Sequence, residues 1–360
     1  MFFERLPSKQ LHRRQFNLLL AGLGLALTFS ACTPKAKNTS ATGAMPDEIR
    51  IGYQVIPNAE LLAKAEGLVE ESLPNTKVSW IQYSSGGDVN QAMVAGDIDM
   101  GLVGSVPVST GIATELPYQV YFIHDIIGAN EALAVRTDSG IVRLEDIKGK
   151  KIAVPFGSTT HFSLLSTLKE NGIQPSELDI INMTPEAIAS AWNKNEIDGS
   201  FIWHPTLGNL LENKGIVLTS AKQLAAEGII TADLAVVHRD FVSQYPDALV
   251  NYVSALDAAV ALYRSNPEAA ATSLSNELGL TPEQSRIAMD ELIWLSADEQ
   301  ASAKYLGNSD LPGALAKVLK ESAEFMVSQG AIPQAPDLDT YNDAIYSTAV
   351  NAASDSVASK

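Results

Sequence analysis

From Glu48 onward, short apolar runs alternate with longer stretches whose apolar residues recur at helical spacing. Glu48-Ile49-Arg50-Ile51-Gly52-Tyr53-Gln54 is apolar at every second position, the pattern of a strand. Asn58 follows and opens a predicted helix over 59–71. Lys77-Val78-Ser79-Trp80-Ile81-Gln82-Tyr83 reads as a second strand, ended by Ser84-Ser85-Gly86-Gly87-Asp88 and a helix to 95. Gly96-Asp97-Ile98-Asp99 then turns into the strand Met100-Gly101-Leu102-Val103. Gly104-Ser105-Val106-Pro107 starts another helix, and 118–124 is one more strand. Strand and helix in strict alternation predict a parallel-rich sheet covered on both faces. In such sheets ligands bind beyond the carboxyl ends of the strands, where Gln54, Ser84, Ser85 and Ser105 fall.

Residues 130–136 form a strand outside this first pattern, and a second alternation follows it. Lys151-Ile152-Ala153-Val154 is a strand that turns at Pro155-Phe156-Gly157 into a helix whose first turn carries Ser158, Thr159 and Thr160. That helix runs to Asn171, with Gly172 past its end. A strand at 179–182, a helix at 185–193, the strand Gly199-Ser200-Phe201-Ile202-Trp203, a short strand at 216–218, a helix near 222–226 and a strand at 233–238 complete the set. Asn195-Glu196-Ile197-Asp198-Gly199 echoes Gly96-Asp97-Ile98-Asp99-Met100-Gly101; each begins a strand that ends in a polar turn. We read an α/β chain of two similar lobes, 47–130 and 131–233, with strands at 131–136 and 233–238 crossing between them. Residues 234–350 return to the first lobe as helices, with Pro246, Pro267 and Pro282 at helix starts, further helices at 311–329 and 341–350, and a disordered tail at 351–360.

Charge and cysteine usage narrow the function. Residues 1–31 carry +3 (Arg5, Lys9, Arg13 and Arg14 against Glu4), so the net −17 leaves −20 on the remainder. Nucleic acid, which needs clustered Lys and Arg, is excluded as a partner. The single cysteine, Cys32, rules out an internal disulfide, a Cys-based metal site and CxxC redox chemistry. It ends an N-terminal segment with a basic start through His12-Arg13-Arg14-Gln15-Phe16 and an apolar run over 18–29, shorter than the about 20 residues of a spanning helix. We read 1–31 as an export signal. Phe29-Ser30-Ala31-Cys32 resembles a bacterial lipoprotein processing site, with Phe29 where leucine is usual, and the arginine pair resembles a twin-arginine signal. The lipoprotein resemblance implies cleavage before Cys32, lipid on that cysteine, a flexible tether over 32–46 and a membrane-anchored protein outside the cytoplasm.

A helix start leaves four backbone N–H groups without intrahelical partners and carries about half a positive charge, so the Ser158-Thr159-Thr160 turn can hold an anion. The competing reading is that Ser158 simply caps the helix.

With those residues in place, the chain resembles the periplasmic substrate-binding proteins of ABC importers for nitrate, aliphatic sulfonates and taurine, and most closely the taurine-binding members. The likeness rests on Ile51-Gly52-Tyr53-Gln54, Gly104-Ser105-Val106-Pro107, Glu131-Ala132-Leu133, Ile152-Ala153-Val154-Pro155-Phe156, Ser158-Thr159-Thr160-His161, Ile197-Asp198-Gly199, Trp203 with Pro205, and Asp233. His204 stands where that pattern has alanine. The resemblance implies a two-lobed periplasmic-binding-protein fold of type II with two crossover hinge strands, and a ligand held between lobes that close on it. A sulfonate has only acceptor oxygens and one negative charge. Ser158, Thr159 and Thr160 would supply donors from one lobe and Ser105 from the other, and no lysine or arginine lies at these turns. The ammonium of taurine would meet Glu131 and Asp233, with Trp203, Tyr53 and Phe156 packed on the ligand. Surface solvation or a hinge ion pair is the other reading of the two acids, and a core position that of Trp203. His161 is a donor or a cap; Gln54 is a ligand contact or a turn residue.

The resemblance further implies a monomer that delivers its cargo to a membrane permease and its ATPase, without cofactor or metal. Two rivals remain open at this point: a binder of another small anion or a pyrimidine precursor, for which the acids would not matter, and an enzyme, since pyrimidine-synthesis proteins using histidine and pyridoxal phosphate share the two-lobed fold. No Ser-His-Asp or Cys/His arrangement in the chain supports catalysis.

Overall fold

Two aspartates at corresponding places build the same corner twice. Asp99 closes on Arg50 through a pair of bonds: its backbone N–H reaches the Arg50 carbonyl (2.8 Å) and its Oδ2 accepts the Arg50 N–H (2.8 Å). Asp198 does the same to Lys151, at 2.9 Å for both bonds. Each acid thereby locks the entry of one strand against its parallel neighbour, which is why the Ile-Asp turn occurs twice in the sequence.

The computed structural model describes residues 43–358 apart from 309; the export signal, Cys32 and nearly all of the tether lie outside the described residues. Among the described residues eleven strands fall into two sheets: β1 (Glu48–Tyr53), β2 (Lys77–Gln82), β3 (Met100–Gly104), β4 (Tyr118–Ile127), β5 (Glu131–Arg136), β6 (Lys151–Val154), β7 (Asp179–Asn182), β8 (Gly199–Trp203), β9 (Gly215–Ser220), β10 (Ala232–His238) and β11 (Leu292–Ile293). The first sheet has the order β11-β4-β10-β3-β1-β2 and the second β7-β6-β8-β5-β9. In the first, β10 runs antiparallel between β3 and β4; in the second, β5 runs antiparallel between β8 and β9. The pairs β1–β2, β1–β3, β6–β7 and β6–β8 are parallel, and β11 adds to β4 antiparallel. The two lobes thus share one plan, three parallel strands, one reversed and one more. The strands read as crossovers each pair within a single sheet, and the chain changes lobes in the short segment 128–130 and in the stretch between β9 and β10.

Side chains alternate across a strand, so both faces of the second sheet can be read from β5. Ala132 and Ala134 face one buried cluster with Ile188, Trp192 and Ile202; Leu133 and Val135 face another with Ile152, Leu164, Leu168 and Phe201. The first sheet packs on the helix Pro246–Ser265 through Leu249, Tyr252, Val253 and Leu256. Pro246, Pro267 and Pro282 each occupy the first turn of a helix.

The expected helix at 341–350 is two helices, Leu338–Asp343 and Thr348–Ala358. Val120 of β4 takes the N–H of Tyr346 (2.7 Å) and gives its own to Ala344 (2.8 Å), which holds the chain extended between them. The expected disordered tail is likewise corrected: 351–358 is helical, because Ala349, Val350 and Ala353 form a buried stripe on the first-lobe core.

Asp99→Ala and Asp198→Ala are each expected to lower stability by about 1–3 kcal/mol. As the sites lie in separate sheets, the double variant should lose the sum of the two, which urea unfolding would measure; a markedly smaller double loss contradicts two independent corners.

Candidate functional site

Both lobes contribute to one cavity, lined by Gln54, Ile56, Gly86, Gly104, Pro107, Asn130, Glu131, Ser158, Thr159, Trp203 and Asp233. It stands at the ends of β1, β3 and β8, the starts of β5 and β10, and the first turns of three helices, Gly86–Ala95, Ser105–Ala113 and Thr159–Glu170. Its free volume is about 20 Å³, room for about one water. The lobes are in close contact here. A Cβ built on Gly104 would lie 2.9 Å from the Thr159 methyl, so only glycine lets this strand end approach the opposite lobe. Ser84 also reaches Glu186 across the lobes (3.3 Å).

One wall is made of helix starts. The Ser158 hydroxyl donates to the Pro155 carbonyl (2.6 Å) and accepts the His161 N–H (3.2 Å), capping Thr159–Glu170. A hydroxyl has one proton to give, so in the 2.8 Å contact between Ser158 and Thr160 the donor is Thr160. Thr159 Oγ1 donates to Glu131 Oε1 (2.5 Å). The expectation that these three hydroxyls offer their protons to a ligand is therefore corrected: each finds a buried acceptor nearer at hand. The donors that this turn keeps are the N–H groups of Thr159 and Thr160, which have no partner among the described residues.

Ser105, Thr160 and His161 do not line the cavity. The Ser105 hydroxyl accepts the Ala232 N–H (3.2 Å) and braces the residue before Asp233. His161 Nδ1 accepts from the Gly157 N–H (3.2 Å) and its ring stacks on half-exposed Phe156 at 4.6 Å. Burial holds its pKa down at about 4, so the ring is neutral with its proton on Nε2. Gln54 spends an amide proton on the Leu102 carbonyl (3.0 Å). Trp203 is both lining and core, packed in one cluster with Ile56 and Leu102 of the first lobe.

The other wall is acidic. Glu131 is 3% exposed and its Oε2 has no partner. Burial pushes its pKa up to about 8, the like charge of Asp233 adds to that, and the Thr159 hydroxyl opposes it. Burial raises Asp233 to about 7, although it keeps some surface toward the cavity. A third acid was not singled out by the sequence pattern. Asp125 is fully buried, directly opposite Asp233 in the β4–β10 ladder, with neither oxygen bonded. Burial, then Asp233 and Glu131, hold its pKa well above the usual range. The ladder passes from Asp125 to Ile123 against consecutive residues of β10, so His124 is the extra residue of a β-bulge. A bulge re-aims its neighbours, and the simple alternation of 118–124 carries no sign of it. Gly86, Gly104 and Asn130 also line the cavity without a signal strong enough to mark them.

Behind this wall Glu60 accepts from Tyr252 (2.7 Å) and lies 3.9 Å from His124. Burial raises Glu60 to about 8 and lowers His124 to about 3, so the approach is between neutral groups and is not an ion pair.

A family model described as NMT1/THI5 like matches residues 63–270. The taurine-binding periplasmic protein of Escherichia coli K12 is 31% identical over 317 residues, 88% of this chain and 93% of that one. The alkanesulfonate-binding protein SsuA from Xanthomonas axonopodis pv. citri superposes with a TM-score of 0.70 at 21% identity, over 85% of this chain and all of that one. The desulfurization enzyme DSZB superposes with a TM-score of 0.63 at 15% identity, over 86% of this chain and 99% of that one. At such identities the two superpositions show the fold alone.

The pKa shifts predict how stability follows pH. Between the ordinary and raised values of Glu60, Glu131, Asp125 and Asp233 the folded protein binds more protons than the unfolded one, so stability falls as pH rises. His124 and His161, lowered to about 3 and about 4, oppose this only below their unfolded pKa near 6.5. The ligand-free protein should therefore lose stability most steeply from about pH 6.5 to 8. Glu131→Gln should raise stability at pH 8 by on the order of 1–3 kcal/mol. Thermal unfolding across that window checks both, and a flat profile contradicts the acid burial.

Proposed function

The chain belongs to the NMT1/THI5-like family, and on that footing we propose that it is an exported solute-binding protein of an ABC importer that captures taurine or a similar small sulfonate. The observation that carries this reading is the polarity of the cavity, with helix starts on one side and unpaired acids on the other. A zwitterion with a sulfonate at one end and an ammonium at the other matches both. The sulfonate meets the N–H group of Thr159 and the positive ends of the helices Gly86–Ala95 and Ser105–Ala113, which favour a single negative charge without any arginine. The ammonium meets Glu131 and Asp233, and Trp203 closes the cavity beside it. Taurine does not fit in about 20 Å³, so the lobes separate to admit it and close on it.

The E. coli taurine-binding protein, similar over nearly its full length, supports this ligand and a periplasmic setting. An enzyme of the same fold stands beside it, but fold alone does not decide function. In our reading Cys32 carries a lipid anchor, residues 32–46 tether the folded part to the membrane, residues 131–233 make up the second lobe, and the closed monomer docks on a permease and its ATPase.

Calorimetry should give micromolar or tighter binding of taurine. Glu131→Ala or Asp233→Ala should weaken it about 10- to 100-fold, the loss of one charge-assisted hydrogen bond, and ethanesulfonate, which lacks the amine, should bind weakly. Equal affinity for the two sulfonates overturns the ammonium half of the reading and favours a simple anion binder.

A further inference from the structure

Asp125 has no role in the binding mode above, yet it is fully buried and neither of its oxygens has a hydrogen-bond partner among the described residues. Residues directly opposite in an antiparallel pair share a face, so Asp125 and Asp233 lie side by side across β4 and β10. Glu131 opens the next strand, after the three residues 128–130 that follow β4. Asp125 has both oxygens unbonded and Glu131 has Oε2 unbonded, and Glu131 lines the cavity.

The neighbours supply no counter-charge. The helix Thr159–Glu170 presents the Thr159 hydroxyl to Glu131, β8 places Trp203 opposite Glu131, β3 places Gly104 opposite Asp233, and β11 pairs Leu292 and Ile293 with the strand end just past Asp125. His124, the adjacent bulge residue, is held neutral by burial. Among the described residues no lysine, arginine or histidine forms an ion pair with any of the three acids. Three carboxylates so placed cannot all ionise near neutral pH, and the upward shifts of Glu131 and Asp233 to about 8 and about 7 point the same way.

Building on the proposed zwitterion ligand, we propose that Asp125, Glu131 and Asp233 form one recognition unit that holds a proton while no ligand is bound and releases it to solvent when a primary ammonium group enters. Asp125 acts through Asp233 as the positioning residue that makes capture proton-linked. The step balances without any redox partner: a carboxyl O–H bond breaks, its electron pair stays on the carboxylate, the proton passes to buffer, and the ligand keeps all its ammonium hydrogens while donating to that carboxylate. A sulfonate without an amine leaves the proton where it is. The proton and the ligand's ammonium therefore compete for the same acids, and capture strengthens as pH rises.

The test is titration calorimetry of taurine into the full-length protein at pH 7 in phosphate and in Tris, whose ionisation heats differ. We expect on the order of one proton released per taurine bound, and a Kd that falls several-fold per pH unit from pH 6 to 8. Asp125→Asn should cut the proton count by half or more and flatten that pH dependence. Identical heats in both buffers, or an Asp125→Asn protein that releases as many protons as the parent, would overturn the proposal. Should that variant fail to fold, the proton count of the parent still decides. Absence of any taurine binding would instead strike the ligand assignment, and this proposal with it.

Discussion

Three acids packed together, with no cation paired to them among the described residues, are the constraint on which the site depends. A fold tolerates such a cluster only where something else returns the lost solvation, and the arrangement of strands explains how it arises. The two reversed strands, β5 and β10, bring Glu131 and Asp233 to the same cavity from different sheets. The bulge at His124 turns Asp125 into line with Asp233. Facing them are helix starts whose unsatisfied N–H groups repel cations and attract anions. The cavity is thus an electrical dipole, each end built by elements of both lobes, and that sets the length and polarity of what fits.

Thr159 joins the two halves of this arrangement. Its backbone N–H belongs to the helix start, its hydroxyl rests on Glu131, and its methyl sits against Gly104 of the other lobe. One residue therefore reports on both ends of a ligand and on the closeness of the lobes. With about 20 Å³ free between them, the lobes as arranged here have already come together, so the energetics of capture include the opening that precedes it.

Much of the fold was legible because its signals are local. Strand-to-helix alternation and the repeated Ile-Asp turn are written into short stretches, and the repeat proved to be a shared hydrogen-bonded corner at Asp99 and Asp198. The Ser158-Thr159-Thr160 turn was legible as a helix start, but not the fate of its hydroxyls, since their acceptors are fixed by tertiary contact: Thr159 bonds to Glu131, 28 positions away. Asp125 was invisible for a sharper reason. A strand is recognised by alternation, a bulge breaks alternation by one residue, and a charged residue after His124 looks like the end of the strand when β4 continues to Ile127. The C-terminal helix was missed because its small apolar stripe, Ala349, Val350 and Ala353, gains its meaning only from the core beneath it.

The most direct test of the account is a crystal structure of the protein with taurine. The sulfonate oxygens should lie within hydrogen-bond distance of the Thr159 N–H group, and the nitrogen between Glu131 and Asp233. A ligand bound the other way round, or with its nitrogen in solvent and the acids untouched, would contradict it.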